Sequence, residues 1–287
     1  MIPVCNARSY STVLMLSLAV SSMCPPVRAL QQPGAEPETP LPSAIHGRWQ
    51  VTQVLVDPEQ FKPSYDVNDA RIKGRLLKIT ADTITQDLSG WVSICVSPVV
   101  SRQRMTARSL IETTMSNVRN EGLPAPEDYQ LPLASGTDVE VLWLRCELSG
   151  HVGPSGPPGR KGFNWLLLLP DGRLAVRWAG WGTIAVLTRL PANTMPNPSF
   201  DCAKAATPTE KTICGSVDLA AFDRSVAEAY AKAVARRKKK GDSEGLQKLE
   251  KEQMKSLRER NACGTDEECL RQSMSLRTEA IVDPPDR

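Results

Sequence analysis

Cysteine is the residue type whose spacing in this chain says most about chemistry. Eight cysteines occur among 287 residues, and two of them bracket the stretch FDCAKAATPTEKTIC, residues 200–214. Histidine is scarce: only His46 and His151 are present, so neither a Ser-His-Asp set nor a histidine metal cluster can be assembled. The cysteine spacing is not that of a zinc ribbon. Residues 153–162, GPSGPPGRKG, hold glycine and lysine but lack the Gly-Lys-Ser/Thr order of a phosphate loop and read as a surface loop. Glu267 and Glu268 are adjacent carboxylates with nothing to aim them into a cleft. The expectation is a binding protein and not an enzyme, with no cofactor and no metal.

The chemistry left to the cysteines is oxidation to disulfides. The first 29 residues read as an export signal, with Arg8 ahead of the short apolar run Val13–Val20 and small Val27 and Ala29 before a cut after Ala29. The run is too short for a membrane span, and Met23 before Cys24 disfavours a lipid anchor. Removing the signal takes Cys5 and Cys24 away and leaves Cys95, Cys146, Cys202, Cys214, Cys263 and Cys269. An even number in an exported chain, periplasmic or secreted in a bacterium, reads as disulfides. The 35 basic residues nearly balance the 32 acidic ones, so no overall field points to nucleic acid or a membrane surface.

Two proline-rich breaks organise the rest. Residues 30–43 form a solvated linker, 44–190 a β domain, 191–199 a second linker, and 200–284 a helical module. In the β domain, RWQVTQV alternates around Trp49 and Val51, and RLLKITADTIT carries Leu77 and Ile79 on one face. VEVLWLRC sets Val139, Val141 and Trp143 opposite Leu142, Leu144 and Cys146. FNWLLLLPDGRLAVRW is a hairpin turning at Pro170-Asp171-Gly172, and Gly180 with Gly182 marks a further turn. Residues 104–118 form a helix with Leu110, Ile111, Met115 and Val118 on its apolar face. Cys95 and Cys146, both near strand ends, are expected to pair. Gly47-Arg48-Trp49 at the first strand, with Arg189 after the last, resembles the opening and close of lipocalin-type barrels. That resemblance implies a closed antiparallel barrel around one small apolar ligand. The plainer alternative is that Trp49, Trp143, Trp165 and Trp178 simply fill a core.

In the module, Thr207-Pro208-Thr209-Glu210 is a capping box with proline at the first helical position, and Gly215 follows Cys214 as a stop. A longer helix has Leu219, Phe222, Val226, Tyr230, Ala233 and Val234 on one face. It ends in ARRKKKG, with cations at the negative end of its dipole; Arg236–Lys240 read as a solvated helix end. A second helix, starting near Asp242 or Ser243, carries Leu246, Leu249, Gln253, Leu257 and Arg260. A third runs from Glu267 through Leu270, Met274 and Arg277 to Ile281. A short loop makes the first two antiparallel, so all four cysteines gather at one end. Cys202–Cys214 and Cys263–Cys269 are the preferred bonds, with cross-hairpin pairs left open. Asp223 lies within the apolar stripe and needs a partner, which Arg260 or Arg277 could supply.

This pattern resembles the LprI-type family of exported bacterial modules, named for a lysozyme inhibitor. The resemblance rests on Phe200, Asp201, Cys202, Ala203, Lys204, Glu210, Ile213, Cys214, Leu219, Asp223, Tyr230, Gln253, Leu257, Arg260, Cys263, Cys269, Leu270 and Arg277. Ser256, Asn261 and Met274 stand where that family often has Trp, Asp and Tyr. The resemblance implies a protein that binds lysozyme, or another envelope protein, and occludes its two-carboxylate cleft. The other reading is a periplasmic carrier or sensor with a small apolar ligand in the barrel.

Overall fold

The computed structural model describes residues 37–88, 91–146, 148–149, 165–177 and 182–283. The export signal at 1–29, most of the first linker, the 153–162 loop, His151, Trp178 and Gly180 lie outside them. Among the described residues, eleven strands form one antiparallel sheet. In chain order they are β1 (Thr39–Pro40), β2 (Gly47–Val56), β3 (Leu76–Ile79), β4 (Thr83–Leu88), β5 (Trp91–Val96), β6 (Val99–Thr106), β7 (Asp138–Arg145), β8 (Leu148–Ser149), β9 (Trp165–Leu168), β10 (Leu174–Arg177) and β11 (Thr183–Leu190). Their order across the sheet is β1-β6-β7-β9-β10-β11-β2-β3-β4-β5-β8. The sheet curls into an open half-barrel. The expected closed barrel is therefore corrected.

The cause of the opening is local. At the turn after β5, Ser97 takes φ +49° and its N–H bonds Asp82 O at 2.9 Å, back toward the β3–β4 turn. Pro98 has no N–H to give. β5 and β6 share no ladder among the described residues; the outer edge of β6 pairs only with two-residue β1, and that of β5 only with two-residue β8. A covalent link crosses instead: Cys95 on β5 is bonded to Cys146, just past β7, with Cα atoms 5.4 Å apart.

Alternation along the strands sends side chains to two cores. The inner one joins Trp49, Leu77, Ile79, Ile84, Leu142, Leu144 and Leu166 with Leu41 and Ile45 from the segment leading into β2. The outer one joins Val139, Val141, Trp165 and Val186 with α1 (Ala107–Met115). α1 begins where Thr106 caps it, so residues 104–106 of the expected helix end β6; Leu110, Ile111 and Met115 are buried as its stripe required. The hairpin turns at residues 169–173, with Leu169 N–H bonded to Arg173 O at 2.8 Å.

Four helices follow: α2 (Pro208–Gly215), α3 (Val217–Lys240), α4 (Ser243–Ala262) and α5 (Glu267–Val282). The Thr207–Glu210 capping box forms with both of its reciprocal bonds. Ser216 caps α3, and Gly241 ends it at φ +69°, a left-handed conformation that costs glycine little. α3 touches α2, α4 and α5, and a third core gathers Ile213, Leu219, Phe222, Val226, Leu249, Leu270, Met274 and Ile281. Ala70, from the loop before β3, is buried in the same core. α4 is the shallow member: Leu249 is its one buried residue, and Leu257 stays exposed although it lies on the expected stripe. No helix among the described residues is long and apolar enough to cross a membrane.

Candidate functional site

Among the described residues, three places stand out for their side-chain chemistry. At one end of the helical region, Cys202 is bonded to Cys214 and Cys263 to Cys269, with Cα separations of 5.8 and 5.6 Å. Thr209 joins these halves by donating to Gly264 O at 3.1 Å. Asp223, nearly fully buried, accepts from Arg260 at 3.1 Å and from the Ser199 N–H at 2.6 Å, so one carboxylate ties α3 to α4 and to the 191–199 segment. Arg277 does not reach it. Its guanidinium donates to Gln253 at 2.9 Å and pairs with Glu252 at 3.5 Å, fastening α5 to α4.

The second place is where the helices meet the sheet. Arg75, just before β3, is fully buried, lies 3.3 Å from the Phe222 ring centroid and donates to Ser225 at 2.7 Å. Asp87 on β4 accepts from the Leu76 N–H at 2.6 Å, while its second oxygen, like Asp218 Oδ1 in the first turn of α3, is buried with no donor among the surrounding side chains and backbone. Asp218 in turn accepts from Arg271 of α5 at 3.1 Å. Burial pushes Asp87 well above the usual carboxylate range, and the neighbouring Asp218 carboxyl adds to this. Burial also pushes Asp218 upward, but the neighbouring Asp87 and the cations Arg271 and Arg75 outweigh it and hold Asp218 low. Desolvation lowers Arg75 against the pull of the two carboxyls.

The third place is a groove of about 360 Å³ at one end of the half-barrel. Ile45, Leu142 and Leu168 give it aliphatic walls, and Leu168 is 43% exposed. Arg102 donates to Glu140 at 3.0 Å on the rim, beside Asp138. No group of three or more His, Cys, Asp or Glu side chains among the described residues could hold a metal ion.

Compared with known proteins, the chain matches no family model, no curated protein and no solved structure. The likeness to the LprI-type family thus stands on its motif residues alone. Those residues account for the frame of the helical region, but Arg75, Asp87 and Asp218 belong to no motif. In sequence, Arg75 is one of several cations in RIKGRLLK, and Asp218 is an ordinary first-turn helix acid. The strand alternation that puts Leu77, Ile79 and Ile84 inward was the available signal, because it turns Asp87 outward toward whatever covers the sheet.

Proposed function

We propose that this chain is an exported binding protein, and that its ligand site is the groove at the open end of the half-barrel. The observation that carries this is the groove itself. Its size suits a small organic molecule, its walls are aliphatic, and a charged rim at Arg102, Asp138 and Glu140 can orient a polar end. Three disulfides support an oxidising compartment, periplasmic or secreted. The inner core beneath is already occupied by Trp49 and aliphatic side chains, so the ligand of this reading sits at the mouth and not at the centre. The test is titration of oxidised residues 30–287 with an environment-sensitive aliphatic dye. Saturable binding to the native chain, weakened at least roughly tenfold in Leu168→Asp, supports the reading. Equal binding by both proteins, or none by either, removes the groove as the site.

The resemblance of the helical region supports a second reading, a lysozyme-inhibitor-like envelope protein that occludes a muramidase. Shallow α4 leaves Met254 and Leu257 exposed, at 62% and 38%, as apolar contacts for a protein partner. Lysozyme activity measured against rising amounts of the same protein tests this reading. Inhibition that saturates near one inhibitor per enzyme and is lost in Met254→Asp/Leu257→Asp supports it; undiminished activity of several lysozyme types ends it.

A further inference from the structure

The turn between α3 and α4 concentrates positive charge that the balanced totals of the chain conceal. Residues 231–245 hold six cations, Lys232 and the run at 236–240, against two acids, Asp242 and Glu244. Their local net charge is +4, beside +3 for the whole chain. The run stays helical to Lys240, where Gly241 at φ +69° ends α3 and Asp242 caps α4 by accepting from the Gly245 N–H at 2.8 Å. Other arginines are neutralised: Arg71, Arg102, Arg119, Arg260, Arg271 and Arg277 each form an ion pair with a carboxylate. Among the described residues the five cations at 236–240 form none, and Arg237 Nε is buried without an acceptor. Asp66 lines the same small cleft as Lys232 and Arg236 but pairs with neither.

The placement of these cations selects the shape of their partner. Successive residues of an α-helix, about 3.6 to the turn, point to every side of its axis. A partner lying alongside α3 meets only part of the run, whereas a broad surface laid across the helix end meets all of it through long, flexible stems. A nucleic-acid strand is held in a basic groove with aromatic rings for its bases to stack on. Residues 231–248 contain no aromatic side chain, and the cations sit on the outside of a helix–helix turn. An apolar contact stands beside them. Val67, 57% exposed, lines the cleft with Lys232 and Arg236, and Lys232 Nζ holds its loop by donating to Asn68 O at 3.1 Å. Clustered cations next to an exposed aliphatic side chain suit peripheral attachment to an anionic bilayer.

We propose that the α3–α4 turn docks on an anionic phospholipid bilayer, met across the helix end by the cations at 236–240 with Val67 at the margin of the contact. The attachment is peripheral and reversible, since no helix inserts. Each Lys or Arg brought to such a surface strengthens binding by about fivefold. The attraction reaches about one Debye length and weakens as salt is added. The turn is at the far end of α3 from Cys214, so the surface is separate from the disulfides and from the groove of the half-barrel.

The oxidised protein used for the dye titration is co-sedimented with vesicles of phosphatidylcholine, either alone or mixed with phosphatidylglycerol. The expected result is binding to the mixed vesicles only. Lys238→Gln/Lys239→Gln/Lys240→Gln should weaken that binding by about a hundredfold. Removing three exposed cations far from the turn, in Lys204→Gln/Lys211→Gln/Lys255→Gln, should change it by less than about fivefold, because they lie more than a Debye length from the contact. No binding to either vesicle, equal binding to both, or equal losses in the two triple variants overturns the proposal. Heparin retained at the same salt as tightly as the mixed vesicles, and released by the turn variant, overturns the bilayer in favour of a linear polyanion. One measurement does not depend on any variant folding: binding of the native chain to the mixed vesicles that is indifferent to added salt overturns the proposal equally.

Discussion

The guanidinium of Arg189, at the end of β11, lies 4.4 Å from the ring centroid of Trp49 near the start of β2. The same guanidinium donates to the Ala44 and His46 carbonyls, and Trp49 Nε1 donates to Ile45 O at 2.9 Å. Arg189 therefore clamps the turn at Ser43–Ile45 against the first strand. Arg189→Ala removes one cation–π contact and two charged hydrogen bonds. Arg189 is an exposed residue, so the expected cost is modest, about 1–2 kcal/mol. Urea unfolding followed by tryptophan fluorescence measures it, and Arg189→Lys should recover only part because an ammonium cannot span both carbonyls in one plane.

Gly47 belongs to the same clamp. Its φ is +139°, and a Cβ there would stand 2.6 Å from Arg189 Nη1. Gly47→Ala combines backbone strain with displacement of the clamp, for an expected loss of about 1–3 kcal/mol. Gly47→Ala in an Arg189→Ala background should cost less than in the native chain, since the colliding atom is gone. Purely additive losses in the double variant would show that backbone strain alone is responsible.

These residues also mark how far the sequence could be read. Gly47, Trp49 and Arg189 stood out in the sequence only through their resemblance to lipocalin-type barrels, which did not specify the clamp they form. The cap at Thr207, the hairpin at residues 169–173 and the two faces of VEVLWLR were legible because caps, turns and alternation are local. The missing closure of the barrel was not. It depends on how β5 and β6 diverge after Ser97, a conformation no periodicity encodes. The burial of Arg75 between sheet and helices was hidden for a similar reason: it depends on how α3 docks, through Phe222 and Ala70, against the segment before β3.

Asp223 should behave as a buried ion-pair member with two donors to satisfy. Asp223→Ala strands Arg260 and the Ser199 N–H, and the expected loss is about 3–5 kcal/mol. Asp223→Asn keeps an acceptor for one donor and should lose less. Arg260→Ala should approach the alanine variant, whereas Arg277→Ala should add its own loss independently, because its partners are Gln253, Glu252 and Leu249 O. Denaturation midpoints of the single and double variants test this ordering through the coupling energies.

The disulfides should rank by the length of chain they close. Cys95–Cys146 spans 51 residues and Cys202–Cys214 spans 12. Chain entropy assigns about 4 kcal/mol to the former and about 3 kcal/mol to the latter. The long bond also joins strands that share no ladder, so its loss should open the half-barrel as well as destabilise it. Cys95→Ser/Cys146→Ser is expected to show faster amide exchange in β5 and β8 with the helical region unaffected; Cys202→Ser/Cys214→Ser is expected to show the reverse.

Arg75 gives the sharpest test of how sheet and helices are electrostatically joined. Replacing a buried cation with an apolar side chain of similar volume is often tolerated when its counter-charges go with it. Here they do not. Arg75→Met keeps most of the packing over Phe222 but leaves Asp218 with Arg271 as its remaining cation in the cluster. Arg75 helps hold Asp218 below the usual range, so its removal should raise Asp218 toward that range. The variant should then be less stable near neutral pH and lose less of its stability than the native chain as the pH falls through the carboxylate range, because the folded and unfolded values of Asp218 have drawn together. The triple variant Arg75→Met/Asp87→Leu/Asp218→Leu removes the carboxyls together with one cation and should regain part of the loss near neutral pH. Thermal unfolding across a pH series separates these outcomes: identical pH profiles for Arg75→Met and the native chain would mean that Arg75 acts through packing on Phe222 and not through its charge.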